Sequence, residues 1–314
     1  DILPVLPARI RKLFVNIPVE SLGRIVEIRL RQNQPLILGM SNTEMFLKHK
    51  GGVAENCEEG YIIGTEDIEQ LTHLISRSSI YALEEELRNG FLTLPGGHRV
   101  GITGKVLLDK GRVKTIRYFS GFNIRVSHEI KGAADGVLRC LVKGKGEGIY
   151  HTILVSPPRC GKTTLLRDII RRLSEGVQEL NIAGLNVGVV DERSEIAGCY
   201  KGIPQRDLGP RADVIDGCNK AEGVMMLLRS MSPDVIAVDE IGREEDMKAI
   251  GEVLNAGVTV LATAHGSGLN DIKKRPALKY LVDLKVIQRF VILGHSRGIG
   301  TVEDVIDGVT LKSL

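Results

Sequence analysis

The spacing of hydrophobic residues changes in character near residue 128. Before that point, short segments alternate apolar and polar residues with a period of two, as half-buried strands do, and they are mixed with short amphipathic helices. This pattern predicts a small α+β domain over residues 1–128. The predicted helices are residues 6–13, 65–76 and 79–88, and the predicted strands are residues 24–31, 35–38, 91–94, 98–107, 113–118 and 123–126.

From residue 129 onward, apolar strands alternate with amphipathic helices. Such alternation predicts an α/β domain over residues 129–314, with a parallel sheet that helices cover on both faces. Polar residues follow each apolar strand, and open α/β sheets bind ligands at the carboxyl ends of their strands. The predicted strands are residues 152–155, 186–190, 234–238 and 258–263, and the predicted helices are residues 133–142, 164–173, 217–231 and 244–254.

Composition narrows the class of protein. An apolar share of 43% and a charged share of 26% are those of a soluble globular protein, and 314 residues suffice for two domains. A net charge of +3 is too small to predict nucleic-acid binding. The five cysteines form no C-x-x-C pair, so we expect reduced thiols in a cytoplasmic protein. No apolar run reaches the roughly 20 residues of a membrane span, and no secretory leader is visible. The sequence begins at Asp1 rather than Met, which leaves open whether native residues precede it.

A phosphate-binding loop joins the strand at 152–155 to the helix that follows. The pattern G-x-x-x-x-G-K-[ST] is matched except at its first position. Backbone N–H groups of such a loop and the helix N-terminus form an anion site, so Lys162 would reach the β- and γ-phosphates of ATP and the Thr163 hydroxyl would hold Mg²⁺. The predicted nucleotide-binding residues of the loop are Ser156, Pro157, Pro158, Arg159, Cys160, Gly161, Lys162, Thr163 and Thr164.

Ser156 stands where the pattern has its first glycine. If this position needs a left-handed backbone, a residue other than glycine costs about 1–2 kcal/mol. We expect this cost to affect turnover more than binding, because no phosphate donor is lost.

Asp239 and Glu240 directly follow the apolar strand at 234–238. Asp239 is predicted to hold Mg²⁺ through water, and Glu240 to polarise the attacking water. Phosphoryl transfer depends mainly on positioning and charge neutralisation, so these few groups are sufficient. Together with the loop, they predict an ATPase.

Further polar residues at strand ends are candidates for the same site. Glu192, with Asp191 and Glu195, follows the strand at 186–190 and could order water or metal; the alternative is a solvated acidic turn. His265 could sense the γ-phosphate or simply cap its strand. Arg229 and Arg243 are candidates to stabilise phosphate charge, a task that arginines often perform in trans.

With these motifs the chain resembles the stage III sporulation protein AA family and, more broadly, the hexameric ATPases of type II and type IV secretion. The resemblance covers nearly the whole chain. Its motifs are Glu27-Ile-Arg-Leu-Arg31, Gln34-Pro35 and Gly97-His-Arg-Val-Gly101 before the ATPase core, and Asp191-Glu-Arg-Ser-Glu-Ile196, Gly209-Pro-Arg211, Arg229-Ser-Met-Ser-Pro-Asp234, Asp239-Glu-Ile-Gly242 and Thr263-Ala-His-Gly266 within it.

The resemblance implies a RecA/AAA-like P-loop ATPase core with a parallel sheet, preceded by a smaller α+β domain. It assigns the aspartate box to Asp191, Glu192 and Glu195, and the histidine box to His265. It also implies that an N-terminal arginine reaches the nucleotide, with Arg125 the best match and Arg117 the second. One departure is Asp239, where secretion ATPases usually have glycine.

The family context implies a homo-oligomer, expected to be a hexamer, that powers or gates a secretion-like channel between mother cell and forespore. It would act in the mother-cell cytoplasm, peripheral to the membrane through membrane-embedded channel components. Two alternatives stay open: an ATPase that depends on single-stranded nucleic acid, and a nucleotide-gated scaffold with little turnover. The low aromatic share, 4%, disfavours the nucleic-acid reading.

Overall fold

The computed structural model describes residues 2–40, 43–76, 90–144 and 147–314. The helix predicted at residues 79–88 lies outside them. The chain forms two compact units, Asp1–His128 and Glu129–Leu314. In the described part of the chain, no helix combines the length and the apolar character that a membrane crossing requires.

The N-terminal unit is built on a seven-stranded antiparallel sheet in the order β4-β3-β2-β1-β7-β6-β5. Its apolar face packs against helix α3, through Ile68, Leu71 and Ile75. The strands are β1 Ile25–Arg31, β2 Ile37–Met40, β3 Glu44–Leu47, β4 Val53–Ala54, β5 Phe91–Leu94, β6 His98–Asp109 and β7 Arg112–Arg125. The helices are α1 Ala8–Leu13, α2 Val19–Leu22 and α3 Thr65–Ser76, with 3₁₀ turns at Leu3–Val5, Phe14–Asn16 and Cys57–Glu59.

Strand β7 replaces the two strands that were predicted at residues 113–118 and 123–126. Gly121 between them does not form a turn. A Cβ at Gly121 would lie 2.9 Å from the Thr103 hydroxyl and 3.0 Å from the Leu30 carbonyl oxygen. The glycine therefore permits two neighbouring strands to approach closely, and β7 continues through it.

The distal halves of β6 and β7 extend beyond the rest of the sheet. Strand β5 pairs with β6 only at residues 98–101, and β1 pairs with β7 only at residues 121–125. Residues 104–119 pair with each other alone among the described strands, and we call them the β6–β7 ribbon. A bulge bends it where Gly104 opposes Phe119, and Tyr118 there takes a φ of +49°.

The C-terminal unit contains a seven-stranded sheet in the order β10-β9-β11-β12-β8-β13-β14. All neighbours are parallel except β13 and β14, which are antiparallel. The strands are β8 Thr152–Ser156, β9 Val187–Asp191, β10 Ala212–Asp216, β11 Val235–Val238, β12 Thr259–His265, β13 Arg289–Gly294 and β14 Thr301–Asp307. The helices are α4 Leu138–Leu141, α5 Lys162–Glu175, α6 Lys220–Ser230, α7 Glu244–Asn255, α8 Leu269–Lys273 and α9 Pro276–Asp283, with a 3₁₀ turn at Gln178–Leu180.

Both faces of this sheet are buried, as the continuous apolar strands predict. Along β8, Leu154 faces the core that contains α5, whereas Ile153 and Val155 face the core that contains α6, α7 and α9. The same alternation along the other central strands produces an α/β sandwich of RecA-like P-loop type. The predicted class of this core and of the α+β domain before it is therefore confirmed, with one antiparallel edge strand added.

One predicted helix is mostly wrong. Of residues 133–142, only Leu138–Leu141 is α-helical, and turns precede it. The Ala134 N–H donates instead to the buried carboxylate of Asp168 on α5, at 2.8 Å. This contact fixes the segment in a turn against α5, so a tertiary hydrogen bond takes the place of the first helical turns.

Candidate functional site

The phosphate loop lies at the carboxyl end of β8 and leads directly into α5. Gly161, which caps α5, has φ +78° and ψ +13°, a left-handed conformation that favours glycine. Arg159 is also left-handed, with φ +61°. Ser156 has no positive φ: it is the buried last residue of β8, so the strain that we considered for a non-glycine residue does not arise there.

The turn between β13 and β14 packs against the second half of the loop. A Cβ at Gly161 would lie 3.3 Å from Cα of Gly300 and 3.4 Å from a methyl group of Ile299. The buried Cys160 Sγ lies 3.0 Å from Nε2 of His295. Burial, and secondly the Glu303 carboxylate, raise the pKa of the Cys160 thiol. This thiol is therefore protonated and packed into the wall of the loop.

The start of α5 is joined to the end of β11 by a hydroxyl-carboxylate network. Thr163 Oγ1 donates to Asp239 Oδ2 at 2.9 Å. Thr263 Oγ1, on β12, donates to the other oxygen of Asp239 and accepts the N–H of Glu240 at 2.8 Å. Both carboxylate oxygens of Asp239 are thus fixed, and the buried Thr263 orients the two acids together.

Glu240 lies between two cations at the mouth of the site. Its Oε1 is 3.8 Å from Lys162 Nζ, and its Oε2 is 3.2 Å from Nη1 of Arg193. The Glu240 backbone has a φ of +55°, which is a strained conformation for this residue type. In this conformation the carboxylate lies near Lys162, where a phosphate bound by that lysine would lie.

The acidic turn after β9 divides into a structural residue and an ion pair. Asp191 is buried and accepts the N–H groups of Glu195, Ile196 and Ala197 at 2.8–3.0 Å. Burial raises its pKa, although these three hydrogen bonds act in the opposite direction. Asp191 therefore shapes the turn. A role in ordering water or metal stays a prediction for Glu192 and Glu195.

Glu192 is paired with Lys220, the first residue of α6, whose side chain is only 9% exposed. Burial alone would raise the pKa of Glu192, but the hydrogen bond and charge of Lys220 reverse the effect, and the net pKa is lowered. The charge of Arg243, the N-cap residue of α7, also contributes to this lowering. Glu192 is therefore an anion near neutral pH.

His265 is half-buried and pairs in register with Ser156 of the neighbouring strand. The two strands are also joined where the Gly266 N–H donates to the Ser156 carbonyl, at 3.0 Å. A cavity of about 350 Å³ opens beside the first half of the loop. It is lined by Pro157, Pro158, His265, Ser267, Lys274 and Arg275.

Arg229 is not brought to the site within one chain. It lies in the last turn of α6, with its side chain exposed. Lys220 is at the opposite end of this helix, about 14 Å away at 1.5 Å per residue. Helix α6 leads to the amino end of β11. Arg229 therefore lies at the amino ends of the strands, whereas the loop lies at their carboxyl ends.

The two N-terminal arginines belong to the other unit. Arg125 is the exposed last residue of β7, and its cross-strand partners are Glu27 and Arg99. Arg117 lies on the β6–β7 ribbon, directly opposite Lys105. Their role in nucleotide binding stays a prediction.

Three residues that contribute to the site were not singled out by the sequence. In the sequence, Lys220 is only one residue of an amphipathic helix. Arg193 and Thr263 occur within motifs but have no assigned role. Lys220 lies near the start of a predicted helix, and Glu192 follows a predicted strand. A basic residue and an acidic residue at such positions could have indicated that the two pair. Thr263 carried no signal, because its role depends on the register of β11 and β12, Val238 with Ala262.

The donor set fits Mg²⁺ held together with a phosphate. Within the described ranges, no group of three His, Cys, Asp or Glu side chains could hold a metal ion. The Thr163 hydroxyl and the Asp239 carboxylate supply two hard oxygen atoms at one point. Mg²⁺ typically takes one or two protein oxygens and completes its shell with water and substrate phosphates.

Comparisons with known proteins agree on family and fold. The family model "Sporulation stage III, protein AA" matches residues 1–311. Stage III sporulation protein AA of Bacillus subtilis (strain 168) is 41% identical over 307 residues, which cover 98% of this chain and 94% of that protein.

Two solved structures share the fold. The ATPase DotB of Legionella pneumophila aligns with a TM-score of 0.53 at 18% identity, over 87% of this chain and 72% of that one. The pilus retraction motor PilT with bound ADP aligns with a TM-score of 0.51 at 16% identity, over 87% of this chain and 75% of that one.

Proposed function

The chain belongs to the stage III sporulation protein AA family, and on that premise we propose that it is a Mg²⁺-dependent ATPase of a secretion-like channel apparatus in sporulation. ATP hydrolysis would drive motion between its two units. The family match supports the sporulation context, and the shared fold with DotB and PilT supports the motor class.

One observation carries the proposal: two segments 76 residues apart meet at one point. Thr163 hydrogen-bonds Asp239 at 2.9 Å, and Lys162 Nζ lies 3.8 Å from Glu240. A triphosphate bound by the loop would extend between these two pairs. A phosphate loop without such acids would support binding alone, so the conjunction favours hydrolysis.

Each residue then has a proposed task. The N–H groups of the loop and Lys162 bind the phosphates, and Thr163 and Asp239 hold Mg²⁺. When bound, this ion neutralises the charge of the β- and γ-phosphates. Glu240 accepts a hydrogen bond from the attacking water and orients it in line with the γ-phosphate. His265 donates a hydrogen bond to the γ-phosphate, and Glu192 orders water at the edge of the site.

We propose that the chain acts as a homo-hexamer, in which a neighbouring subunit completes the site. Arg229 is exposed and about 14 Å from the loop side of its own helix, a position that suits action in trans. Arg125 is the proposed nucleotide contact from the N-terminal unit. Arginines supplied in this way raise phosphoryl-transfer rates by about 10³–10⁵.

The proposed partners are membrane-embedded components of the channel, and the proposed location is the mother-cell cytoplasm at the membrane that faces the forespore. What is transported would be decided by those components. The chain itself would supply force or gating.

The proposal is tested by measuring the ATPase rate of the full chain against protein concentration, with sedimentation in the presence and absence of ATP. We expect the Mg²⁺-dependent rate of ATP hydrolysis per chain to rise with protein concentration, because a ring assembles. Glu240→Gln is expected to lower the rate about 10²–10⁴-fold while ATP still binds. Glu252→Gln, on the exposed face of α7, is the matched control and should hydrolyse ATP normally.

The other outcomes each replace part of the proposal. ATP binding without hydrolysis in the wild-type protein would favour a nucleotide-gated scaffold. Hydrolysis that requires single-stranded DNA would favour a nucleic-acid-dependent ATPase. A constant rate per chain with a monomeric particle would exclude the ring.

A further inference from the structure

The β6–β7 ribbon is a two-stranded projection that its own sheet does not support. Residues 104–119 pair only with each other among the described strands, and the shorter arm, residues 104–109, extends about 20 Å at 3.4 Å per residue. A two-stranded hairpin alone is marginally stable in water. The ribbon nevertheless exposes apolar side chains: Val106 is 44%, Leu108 65%, Val113 37% and Tyr118 78% exposed.

The ribbon is also strongly basic. It carries five basic residues and one acidic residue, Asp109, so its net charge of +4 exceeds the +3 of the whole chain. The basic residues are Lys105, Lys110, Arg112, Lys114 and Arg117, and all five are exposed. None of them forms an ion pair with another described residue.

The cross-strand register places like charges opposite each other. Lys105 is the direct partner of Arg117. Such pairs are destabilising within an isolated hairpin, whereas an anion bound by both side chains would remove the repulsion. The pairing of like charges indicates an external anion. The exposed apolar side chains, and the absence of any other described strand beside the ribbon, indicate that this anion belongs to an external surface.

We propose that the β6–β7 ribbon binds the surface of an anionic lipid bilayer. Leu108, next to the turn, and Val106 and Val113 enter the interface, while the lysines and arginines contact lipid phosphates. Membrane binding of this kind depends on apolar area together with attraction to anionic lipids, and the ribbon provides both at one tip.

A bilayer fits the ribbon better than single-stranded nucleic acid does. Nucleic-acid surfaces stack bases on aromatic side chains. The ribbon exposes one aromatic residue, Tyr118, while its other exposed apolar residues, Val106, Leu108 and Val113, are aliphatic. Contact with bases stabilises aliphatic side chains little. Transfer from water to the boundary of the lipid acyl chains stabilises them more.

The test uses the full chain and vesicles of phosphatidylcholine with or without about 30% phosphatidylglycerol. We expect co-sedimentation only with the anionic vesicles, and release at high salt. Lys110→Gln with Lys114→Gln should lower the partition coefficient about 25-fold, since each charge contributes about fivefold. Lys248→Gln with Lys312→Gln, two exposed lysines outside the ribbon, is the charge-matched control and should bind normally.

A second readout reports insertion directly, because the chain contains no tryptophan. Leu108→Trp should show a blue shift in fluorescence when anionic vesicles are added. Leu284→Trp, at a 51% exposed position beyond α9, should show none.

Three results would overturn the proposal: equal binding to both kinds of vesicle, no loss of binding in the double lysine variant, or no blue shift at position 108. Tighter, ribbon-dependent binding to a single-stranded DNA oligonucleotide would overturn it in favour of a nucleic-acid surface. None of these measurements requires ATP hydrolysis, so the inference stands or fails separately from the proposed function.

Discussion

Thr163 on α5 donates a 2.9 Å hydrogen bond to Asp239 at the end of β11, and Thr263 on β12 holds the second oxygen of the same carboxylate. Three segments that are distant in sequence therefore fix one side chain before any ligand binds. Preorganised groups of this kind need no rearrangement when charge develops in a reaction.

Asp239→Asn should weaken the dependence on Mg²⁺. The amide keeps the shape and one acceptor but loses the negative charge that attracts the cation. We expect the Mg²⁺ concentration for half-maximal ATPase activity to rise about 10–100-fold. Titration of activity with MgCl₂ measures this, and Asp283→Asn, on an exposed part of α9, serves as the control. An unchanged Mg²⁺ titration for Asp239→Asn would remove this residue from the metal site.

Thr263 should act as a positioning residue. Thr263→Val keeps the volume but leaves the Glu240 N–H and one Asp239 oxygen without a partner, so we expect kcat to fall about 10–100-fold with a smaller change in KM. Thr263→Ser restores the hydroxyl and should recover most of the rate. A merely structural role would instead lower thermal stability and leave kcat per folded molecule intact.

Two helical glycines should respond oppositely to alanine. A Cβ at Gly223 in α6 would lie 2.6 Å from Val190 of β9, so Gly223→Ala should destabilise the fold by about 1–3 kcal/mol. Gly251 in α7 has open space around it, so Gly251→Ala should stabilise the fold by about 0.5–1 kcal/mol. Urea unfolding of both variants measures the contrast. A stabilised Gly223→Ala would show that α6 can move away from the sheet.

The Lys220–Glu192 pair should make stability depend on pH. Because the folded-state pKa of Glu192 is lowered, its contribution is present above the unfolded value of about 4.5 and is lost as the pH falls through the folded value. Glu192→Gln leaves a nearly buried cation unpaired and should cost about 1–3 kcal/mol near pH 7. The difference from wild type should shrink on acidification to pH 4 and below. A difference that is constant from pH 7 to pH 3 would mean that the pair contributes no charge-dependent stability.

The cysteines should differ in reactivity. Cys57 is exposed, whereas Cys160 is buried and burial raises its pKa; burial raises the pKa of Cys199 to about 12. At pH 8, iodoacetamide should label Cys57 at least tenfold faster than Cys160 or Cys199, because the thiolate is the reactive form. Peptide mass spectrometry at short times gives the order. Fast labelling of Cys160 would indicate that the β13–β14 turn leaves the loop frequently.

Much of the core could be predicted from the sequence because its signals are local. The strand, loop and helix from Thr152 to Glu175 follow from an apolar run, a glycine and an amphipathic spacing. The network at Asp239 could be predicted only in part. The motif identified the acid, but the role of Thr263 depends on strand register, which no local pattern encodes.

Other features could not be read locally for related reasons. Strands β10 and β14 were not predicted, because they are half-buried edge strands in which charged residues interrupt the apolar pattern. Strand β13 has a buried apolar run like that of β8 and could have been predicted. Gly121 was interpreted as part of a turn, but it permits β7 to lie close to its neighbours β1 and β6. Arg229 belongs to a motif of the P-loop core, yet it lies in the last turn of α6, at the amino ends of the strands and away from the phosphate loop.

The contact between Gly161 and Gly300 has a consequence for the chain's evolution and engineering. These residues are 139 positions apart, and a Cβ at Gly161 would lie 3.3 Å from Cα of Gly300, so a side chain at Gly161 would press against the β13–β14 turn. A Cβ at Gly300 would meet open space. The β13–β14 turn therefore supports the second half of the phosphate loop. Fusion tags or truncations that disturb residues 295–300 should loosen nucleotide affinity, although they change no residue of the loop itself.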